Sequence, residues 1–381
     1  MKKILKQKIS LIFLGLIIGF LIIEFFLRLF WQGSLYTIDK KTGLVILKPL
    51  KKLIFKKSCF KNVIKTNSWG FHTSEFNLEK ESNEYRILVV GDSYAEAAQV
   101  PLEKSFHKLL EKALNEKNTS KKKVVVYSIG ISGNGTYLNY LYFLNYGKLL
   151  KPDLVILLFC SNDPRDDSLE LGKIYAKQTG DFMVLKRKYP NFDEKGNLIL
   201  KENAESKFFF LKEFFKNFRS LVFLYRKYTE LKNHLFMEKS ISKNEILVDN
   251  YIFLKEWPKE INKAWEDEKK ILKEFKLSIE SIGAKFLIVS VTDHWRVDEE
   301  IAKSYPWFEK IDLKKMEKTL ENITSELGIN YLSLIEQFQE RFKTTREKEV
   351  FDCDGHWNEI GHKWASEIIS DYLLFNQNLL K

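Results

Sequence analysis

A chain of 381 residues that is 45% hydrophobic has enough apolar material for a large folded core, which excludes a disordered protein. Its net charge of +11 comes from lysines spread along the whole length, a solvated surface, and with no concentrated basic stripe or binding module no nucleic-acid partner is expected. Three cysteines, Cys59, Cys160 and Cys353, leave at least one unpaired, so disulfides are not expected to organise the fold. A Cys160–Cys353 bridge requires their loops to meet, and buried or free thiols are the expectation.

Lys2, Lys3, Lys6 and Lys8 precede a stretch, Ile9 to Trp31, that is apolar except for Ser10, Glu24 and Arg28. It reads as a signal-anchor transmembrane helix within residues 1–33, because Leu29, Phe30 and Trp31 stand where a small-residue cleavage site would be; a cleaved signal is the alternative. Glu24 and Arg28 lie four apart and are placed to pair on one helical face. The basic tip predicts a cytoplasmic N-terminus and a periplasmic or extracellular working domain.

Residues 34–82 are irregular in pattern, with Asn67-Ser68-Trp69-Gly70-Phe71 the most ordered-looking piece, and read as a stalk packing on the domain. An α/β alternation follows: strand Arg86 to Val90, helix about Leu102 to Asn115, strand Lys123 to Tyr127, helix about Thr136 to Leu149, strand Leu154 to Phe159. The alternation breaks at about 165–257, which reads as an insertion. Asp181 to Leu200 is predicted as a hairpin turning at Asp193-Glu194-Lys195-Gly196, and Lys207 to Phe236 as an aromatic, basic helical stretch. Its Phe208, Phe209, Phe210, Phe214, Phe215 and Phe218 suit the core of a helical cap or a membrane-facing surface. The rhythm resumes with a helix around Lys259 to Ile282, strand Lys285 to Val291, a helix about Leu313 to Leu327, a short strand near Tyr331 to Leu334 and a final helix about Glu359 to Leu374. The spacings predict one α/β domain over 83–381 of flavodoxin-like type. It is a three-layer α/β/α sandwich with a five-stranded parallel sheet and an inserted hairpin and helical cap.

Gly91-Asp92-Ser93 ends the first strand, which puts a hydroxyl at the sheet edge where open α/β folds hold ligands. Asp354-Gly355-His356 lies near the other end of a chain with six histidines. Residues two apart in an extended loop face one side, so Asp354 is placed to orient His356 as base for a Ser93 nucleophile. Each piece alone has a plain reading: a tight turn at Ser93, and an N-cap at Asn358 beside His356. Two further loops leave the same sheet edge. Ser128-Ile129-Gly130-Ile131-Ser132-Gly133-Asn134-Gly135-Thr136 follows the second strand, and Cys160-Ser161-Asn162-Asp163 the third, so the Gly133 N–H and the Asn162 amide are candidates for stabilising one oxyanion with the Ser93 N–H.

In these four blocks the chain resembles the SGNH/GDSL hydrolase superfamily: Gly91-Asp92-Ser93, Gly133, Asn162-Asp163, and Asp354 with His356. The resemblance covers about Tyr85 to Phe375 apart from the insertion. It implies Ser93 as nucleophile, His356 as base, and an oxyanion hole of the Ser93 amide, the Gly133 amide and the Asn162 side chain. Asn134, Asp163 and Trp357, beside these residues, are expected to contact substrate. Asn67-Ser68-Trp69-Gly70-Phe71 also resembles a segment of membrane-anchored bacterial members. Two departures stand out: Ser161 replaces the customary glycine of the third block, and the usual Asp-x-x-His has Cys353 at its first position. Asp354-Gly355-His356 resembles instead the Asp-x-His of the branch that acetylates exported polysaccharides. Asp352, four before His356, is the other candidate orienter.

His362 reads as a packing or capping residue, and His72, His107, His234 and His294 have no partner motif. Asp293, His294, Trp295 and Arg296 follow the fourth strand and read either as cleft lining or as an ordinary loop. No zinc pattern or phosphate-cradling loop occurs, and no metal or cofactor is called for. The expected function is ester chemistry through an acyl-Ser93 intermediate on an acylated carbohydrate or cell-envelope ester. An O-acyltransferase to an exported polysaccharide and a non-catalytic glycan- or partner-binding module are the alternatives.

Overall fold

The computed structural model of the chain describes residues 2–117, 122–181, 184–200, 218–240 and 246–381. It divides into two compact units, one of residues 1–35 with 202–240, the other of residues 36–201 with 241–381.

In the larger unit, β1 (Tyr36–Ile38) pairs antiparallel with β2 (Val45–Leu47), and β3 (Lys52–Lys56) with β4 (Lys61–Lys65). The segment read from its pattern as a stalk thus forms two hairpins, which short alternating runs did not announce. Five parallel strands follow: β5 (Glu84–Val90), β6 (Lys123–Ser128), β7 (Leu154–Phe159) and, beyond a small hairpin of β8 (Asn191–Phe192) with β9 (Leu198–Ile199), β10 (Lys285–Ser290) and β11 (Asn330–Ser333). Their spatial order is β11-β10-β7-β5-β6. This is the doubly wound flavodoxin-like order, whose connections change direction between β5 and β7 and open a crevice at their carboxyl ends.

The central strands β5 and β7 are buried at every position, as expected of parallel strands covered on both faces. On one face lie the helices Phe106–Lys117, Ile335–Thr345 and Glu359–Phe375, closing over Ile87, Val89, Ile156 and Val289 with Leu110, Phe338 and Ile369. On the other, Phe275 of helix Lys259–Glu280 meets Tyr140 and Phe143 of helix Thr136–Asn145 and Phe286 of β10, with ring centroids 5.2 to 5.3 Å apart. Helices Leu169–Thr179 and Ile335–Thr345 were not anticipated from the sequence.

The smaller unit contains the helix Lys2–Phe30, whose segment Gln7–Phe30 is 24 residues long, apolar, and long enough to cross a membrane. Its Glu24 and Arg28 pair with each other. Arg28 Nε donates to Glu24 at 2.8 Å, and the same carboxylate accepts the Arg219 and Ser220 amides at 3.0 and 2.8 Å, capping the helix Arg219–Ser240. In return the Arg219 guanidinium bonds the carbonyls of Leu27, Arg28 and Trp31 at the end of the apolar helix. Phe218 packs on Phe20 with centroids 5.7 Å apart; Phe208, Phe209, Phe210, Phe214 and Phe215 lie outside the described residues.

Candidate active site

Ser93 opens a four-residue helix, Ser93–Glu96, directly after β5. The preceding Asp92 is buried, and its Oδ1 caps that helix by accepting the Tyr94 N–H at 3.0 Å and the Cys160 thiol at 3.2 Å. Cys160 is thus a free, buried thiol beneath the turn that carries Ser93. Asp92 is short, acidic and desolvated, and burial raises its pKa.

The loop of Asp354-Gly355-His356 comes back over Ser93 from the far end of the chain. His356 Nε2 lies 2.7 Å from Ser93 Oγ, and its Nδ1 is 3.0 Å from Asp354 Oδ2. Asp354 therefore faces the ring from two residues upstream, whereas Asp352 is exposed and pairs with Lys348. The Asp354 carboxylate also accepts a hydrogen bond from Gln99 Nε2 at 3.0 Å and pairs with the Lys57 ammonium. Burial alone would raise the Asp354 pKa, but its bonds to His356, Lys57 and Gln99 outweigh that and hold it well below the usual carboxylate range. Burial would lower His356, yet the hydrogen bond and charge of Asp354, joined by the charge of Asp92, hold the imidazole above its ordinary value.

Lys57 and Gln99 had no sequence signal as site residues, and the hairpin that delivers Lys57 overturns the expectation about cysteines. Cys59, in the β3–β4 turn, is disulfide-bonded to Cys353, the residue before Asp354. Disulfides therefore do brace this fold, and the partner of Cys353 is Cys59 and not Cys160. Asn62 Nδ2 fixes the same hairpin to the carbonyls of Ala98 and Val100 at 2.8 and 2.6 Å, on either side of Gln99.

The second loop is held against the helix that Ser93 opens. Gly130 lies so close to it that a Cβ there would meet Glu96 N at 2.2 Å and Ala95 C at 2.3 Å. Glu96, fully buried, accepts the Ser132 N–H at 2.5 Å and the Tyr36 hydroxyl at 2.9 Å, so the N-terminal hairpin braces the loop. Gly133 has φ of +80°, a conformation that costs a side-chain-bearing residue about 1 kcal/mol or more. Among the described residues the main-chain N–H groups of Ser93 and Gly133 have no hydrogen-bond partner.

The third loop places Asn162 half-buried at the N-terminus of helix Asp163–Asp166, its Nδ2 donating to Asp166 Oδ2 at 2.8 Å. Asp166 in turn pairs with Arg165 and with Arg187 from the inserted segment, and the Arg187 Nη2 lies 3.5 Å from where a Cβ on Gly133 would stand. Asp167 accepts the Tyr137 N–H at 2.8 Å, locking the helix after Gly133 to the helix after Asn162; burial raises its pKa to about 7.

The three residues expected to contact substrate are core residues. Trp357 has no exposed surface and packs with Tyr94, Phe106 and Phe338 beneath the His356 loop. Asp163 is fully buried, with Thr136 Oγ1 at 3.4 Å, and Asn134 is buried with Nδ2 donating to Asn139 at 3.3 Å. Adjacency in sequence misled because each of them turns inward to the core while its half-buried neighbour, Gly133, Asn162 or His356, stays at the sheet edge. His362 accepts the Phe106 N–H through Nδ1 at 3.3 Å, His72 Nδ1 lies 3.1 Å from the Glu96 carbonyl, and His107 Nε2 lies 3.3 Å from Ser105 Oγ.

The arrangement is chemically competent for nucleophilic attack by Ser93: a base within hydrogen-bond reach, a carboxylate on the far side of that base, and three donors on loops leaving one sheet edge. The sequence matches no protein-family model and no curated protein. Among solved structures, the chain is similar to an acetyl xylan esterase at 11% identity and TM-score 0.42, with 76% of this chain and 99% of that one covered. It is also similar to a lipase/acylhydrolase from Enterococcus faecalis at 11% identity and TM-score 0.40, covering 77% of this chain and 96% of that one. A third similar structure is a putative GDSL-like lipase from Parabacteroides merdae, at 13% identity and TM-score 0.41, covering 78% of this chain and 98% of that one.

Proposed function

We propose that this chain is a serine esterase of the SGNH type, acting through an acyl-Ser93 intermediate on O-acylated carbohydrate or a cell-envelope ester. The observation that carries the reading is the 2.7 Å contact of His356 Nε2 with Ser93 Oγ, backed by Asp354 at 3.0 Å from Nδ1. His356 takes the Ser93 proton as Oγ attacks the acyl carbon. The ester C–O bond then breaks, and the same proton passes to the departing alcohol oxygen. The tetrahedral oxyanion is met by the N–H groups of Ser93 and Gly133 and by the Asn162 amide. Water, deprotonated by His356, then releases the acid; a sugar hydroxyl in place of water makes the protein an O-acyltransferase.

The apolar helix anchors the chain in the membrane in this reading, with the N-terminus cytoplasmic and the α/β unit that holds Ser93 on the outer side. The Cys59–Cys353 disulfide favours that side, since structural disulfides persist in oxidising compartments.

Intact mass spectrometry after incubation with an activated acyl ester tests the proposal. Wild type is expected to gain one acyl mass on Ser93 and Ser93→Ala none. Clearance by water alone identifies an esterase, whereas transfer of the mass to an added glycan identifies a transferase. Absence of any adduct on Ser93, together with no labelling by a fluorophosphonate, would overturn both in favour of a binding module.

A further inference from the structure

The segment Asp293-His294-Trp295 after β10 takes no part in the site described so far, yet it is tied to both loops that flank Ser93. On one side Ser161 Oγ donates to Asp293 Oδ2 at 3.0 Å, one residue before Asn162. On the other, His294 Nδ1 lies 2.9 and 3.1 Å from the two carboxylate oxygens of Glu349. Glu349 stands at the root of the His356 loop: its carbonyl accepts the Asn358 N–H at 2.9 Å, and the next residue, Val350, bridges Trp357. His294 therefore sits at the carboxyl edge of the sheet between the Asn162 loop and the His356 loop.

Burying a carboxylate is costly unless it is bonded, and Glu349 has no exposed surface. His294 supplies the only hydrogen bonds its side chain has among the described residues. The imidazole is also set edge-on to Phe342, with centroids 5.5 Å apart and planes at 86°, so its orientation is fixed from two sides. With Nδ1 turned to a carboxylate, the ring has its other nitrogen, Nε2, without a partner among the described residues and free to hydrogen-bond a ligand. Trp295 is the next residue along the chain, and Tyr305 packs against it. Trp295 is half-buried against Phe253, Tyr305 and Trp307, and Tyr305, stacked on Trp307 at 4.5 Å, is 36% exposed. A fixed imidazole nitrogen on the same rim as partly exposed aromatic rings suits a ligand that carries hydroxyls on an apolar ring, which describes a sugar.

We propose that His294, oriented by Glu349, binds a hydroxyl of the alcohol half of the ester, while Trp295 and Tyr305 take the apolar face of the same sugar ring. The rim after β10 is then a carbohydrate subsite that selects acylated sugars over simple esters. This rests on the Ser93 reading, with His294 as a specificity residue and not a second general base.

The test compares full-length wild type, His294→Ala and Tyr305→Ala on p-nitrophenyl acetate and on acetylated xylo- and cello-oligosaccharides, with the rate of fluorophosphonate labelling of Ser93 measured alongside. Each variant is expected to lose about tenfold in kcat/KM on the acetylated sugars, mainly through KM, with p-nitrophenyl acetate turnover and labelling within about twofold of wild type. Equal losses on both kinds of ester, or no loss on the sugars, would overturn the subsite. Where His294→Ala does not fold, the partly exposed Tyr305→Ala decides alone by the same criteria. A wild type that cleaves p-nitrophenyl acetate but none of the sugars removes the subsite and leaves the Ser93 reading standing. A wild type that is neither labelled nor active removes both.

Discussion

Cys59 and Cys353 form a disulfide that joins the β3–β4 turn to the residue preceding Asp354, with their Cα atoms 5.8 Å apart and 294 residues between them in sequence. The bond closes most of the chain into one loop and holds Asp354 where Lys57 and Gln99 reach it. The orienting carboxylate thus depends on a hairpin that precedes the first strand of the sheet.

Removing that bond is expected to act on stability and on the site together. Cys59→Ser with Cys353→Ser should lower unfolding free energy by about 2–4 kcal/mol, as expected for a bridge closing a long loop. Urea denaturation of the wild type with and without reductant measures it, and ester turnover should fall in the reduced protein before the global midpoint is reached. An unchanged midpoint would mean that the Asn62 bonds, the Lys57–Asp354 pair and the packing of Phe60 on Phe351 hold the hairpin without the disulfide.

The pH dependence of turnover follows from the directions of the two pKa shifts. His356 must be neutral to accept the Ser93 proton, and its pKa lies above 6.5, so kcat/KM should rise with pH through an apparent pKa above that value. Asp354→Asn removes the partner that raises it. The limb should move to lower pH while the rate falls by about 10³-fold or more. Asp354 is depressed in the folded state, so its contribution to stability is present above about pH 3.9 and is lost as pH falls toward its folded pKa. The stability difference between wild type and Asp354→Asn should therefore shrink on acidification, as thermal melts at several pH values would show.

The proposed oxyanion donor Asn162 is held by Asp166, and their variants separate the two roles. Asn162→Ala should cost about 10²- to 10³-fold in kcat with a small change in KM. Asp166→Asn leaves the amide in place but loosens its orientation and its link to Arg187, so a smaller loss, about tenfold, is expected. Steady-state kinetics on one activated ester orders them; an Asp166 effect equal to that of Asn162 would show that the two act as one unit.

Gly130 tests the packing of the second loop on the helix that Ser93 opens. A methyl group there meets backbone atoms of Ala95 and Glu96, which have no rotamer to give, so Gly130→Ala should destabilise by about 1–3 kcal/mol and slow fluorophosphonate labelling of Ser93. Unaltered labelling would show that the loop shifts without moving Ser93.

Much of this site is legible in the sequence because its parts are tied to strand ends. Runs such as Leu154 to Phe159 declare buried parallel strands, and three loops after successive strands must emerge at one edge whatever the side-chain detail. Local pattern marked Ser93, Gly133, Asn162, Asp354 and His356 as candidates, of which the structure brings Ser93, His356 and Asp354 into hydrogen-bond reach of one another. Local pattern failed where a residue was assigned by adjacency: Trp357, Asp163 and Asn134 stand next to site residues and point into the core.

What the chain by itself determined is therefore the α/β class, the parallel order of elements and the blocks from which a nucleophile, a base and oxyanion donors can be drawn, since these are written in local periodicity and turn chemistry. Only the tertiary structure decided the partners that come from far away: Cys59 for Cys353, Lys57 and Gln99 for Asp354, Tyr36 for Glu96, and Glu349 for His294. Each is a contact between segments separated by tens to hundreds of residues, made by ordinary side chains with no motif of their own. Their meeting is set by how hairpins and loops close over the sheet, a property of packing that no local pattern encodes.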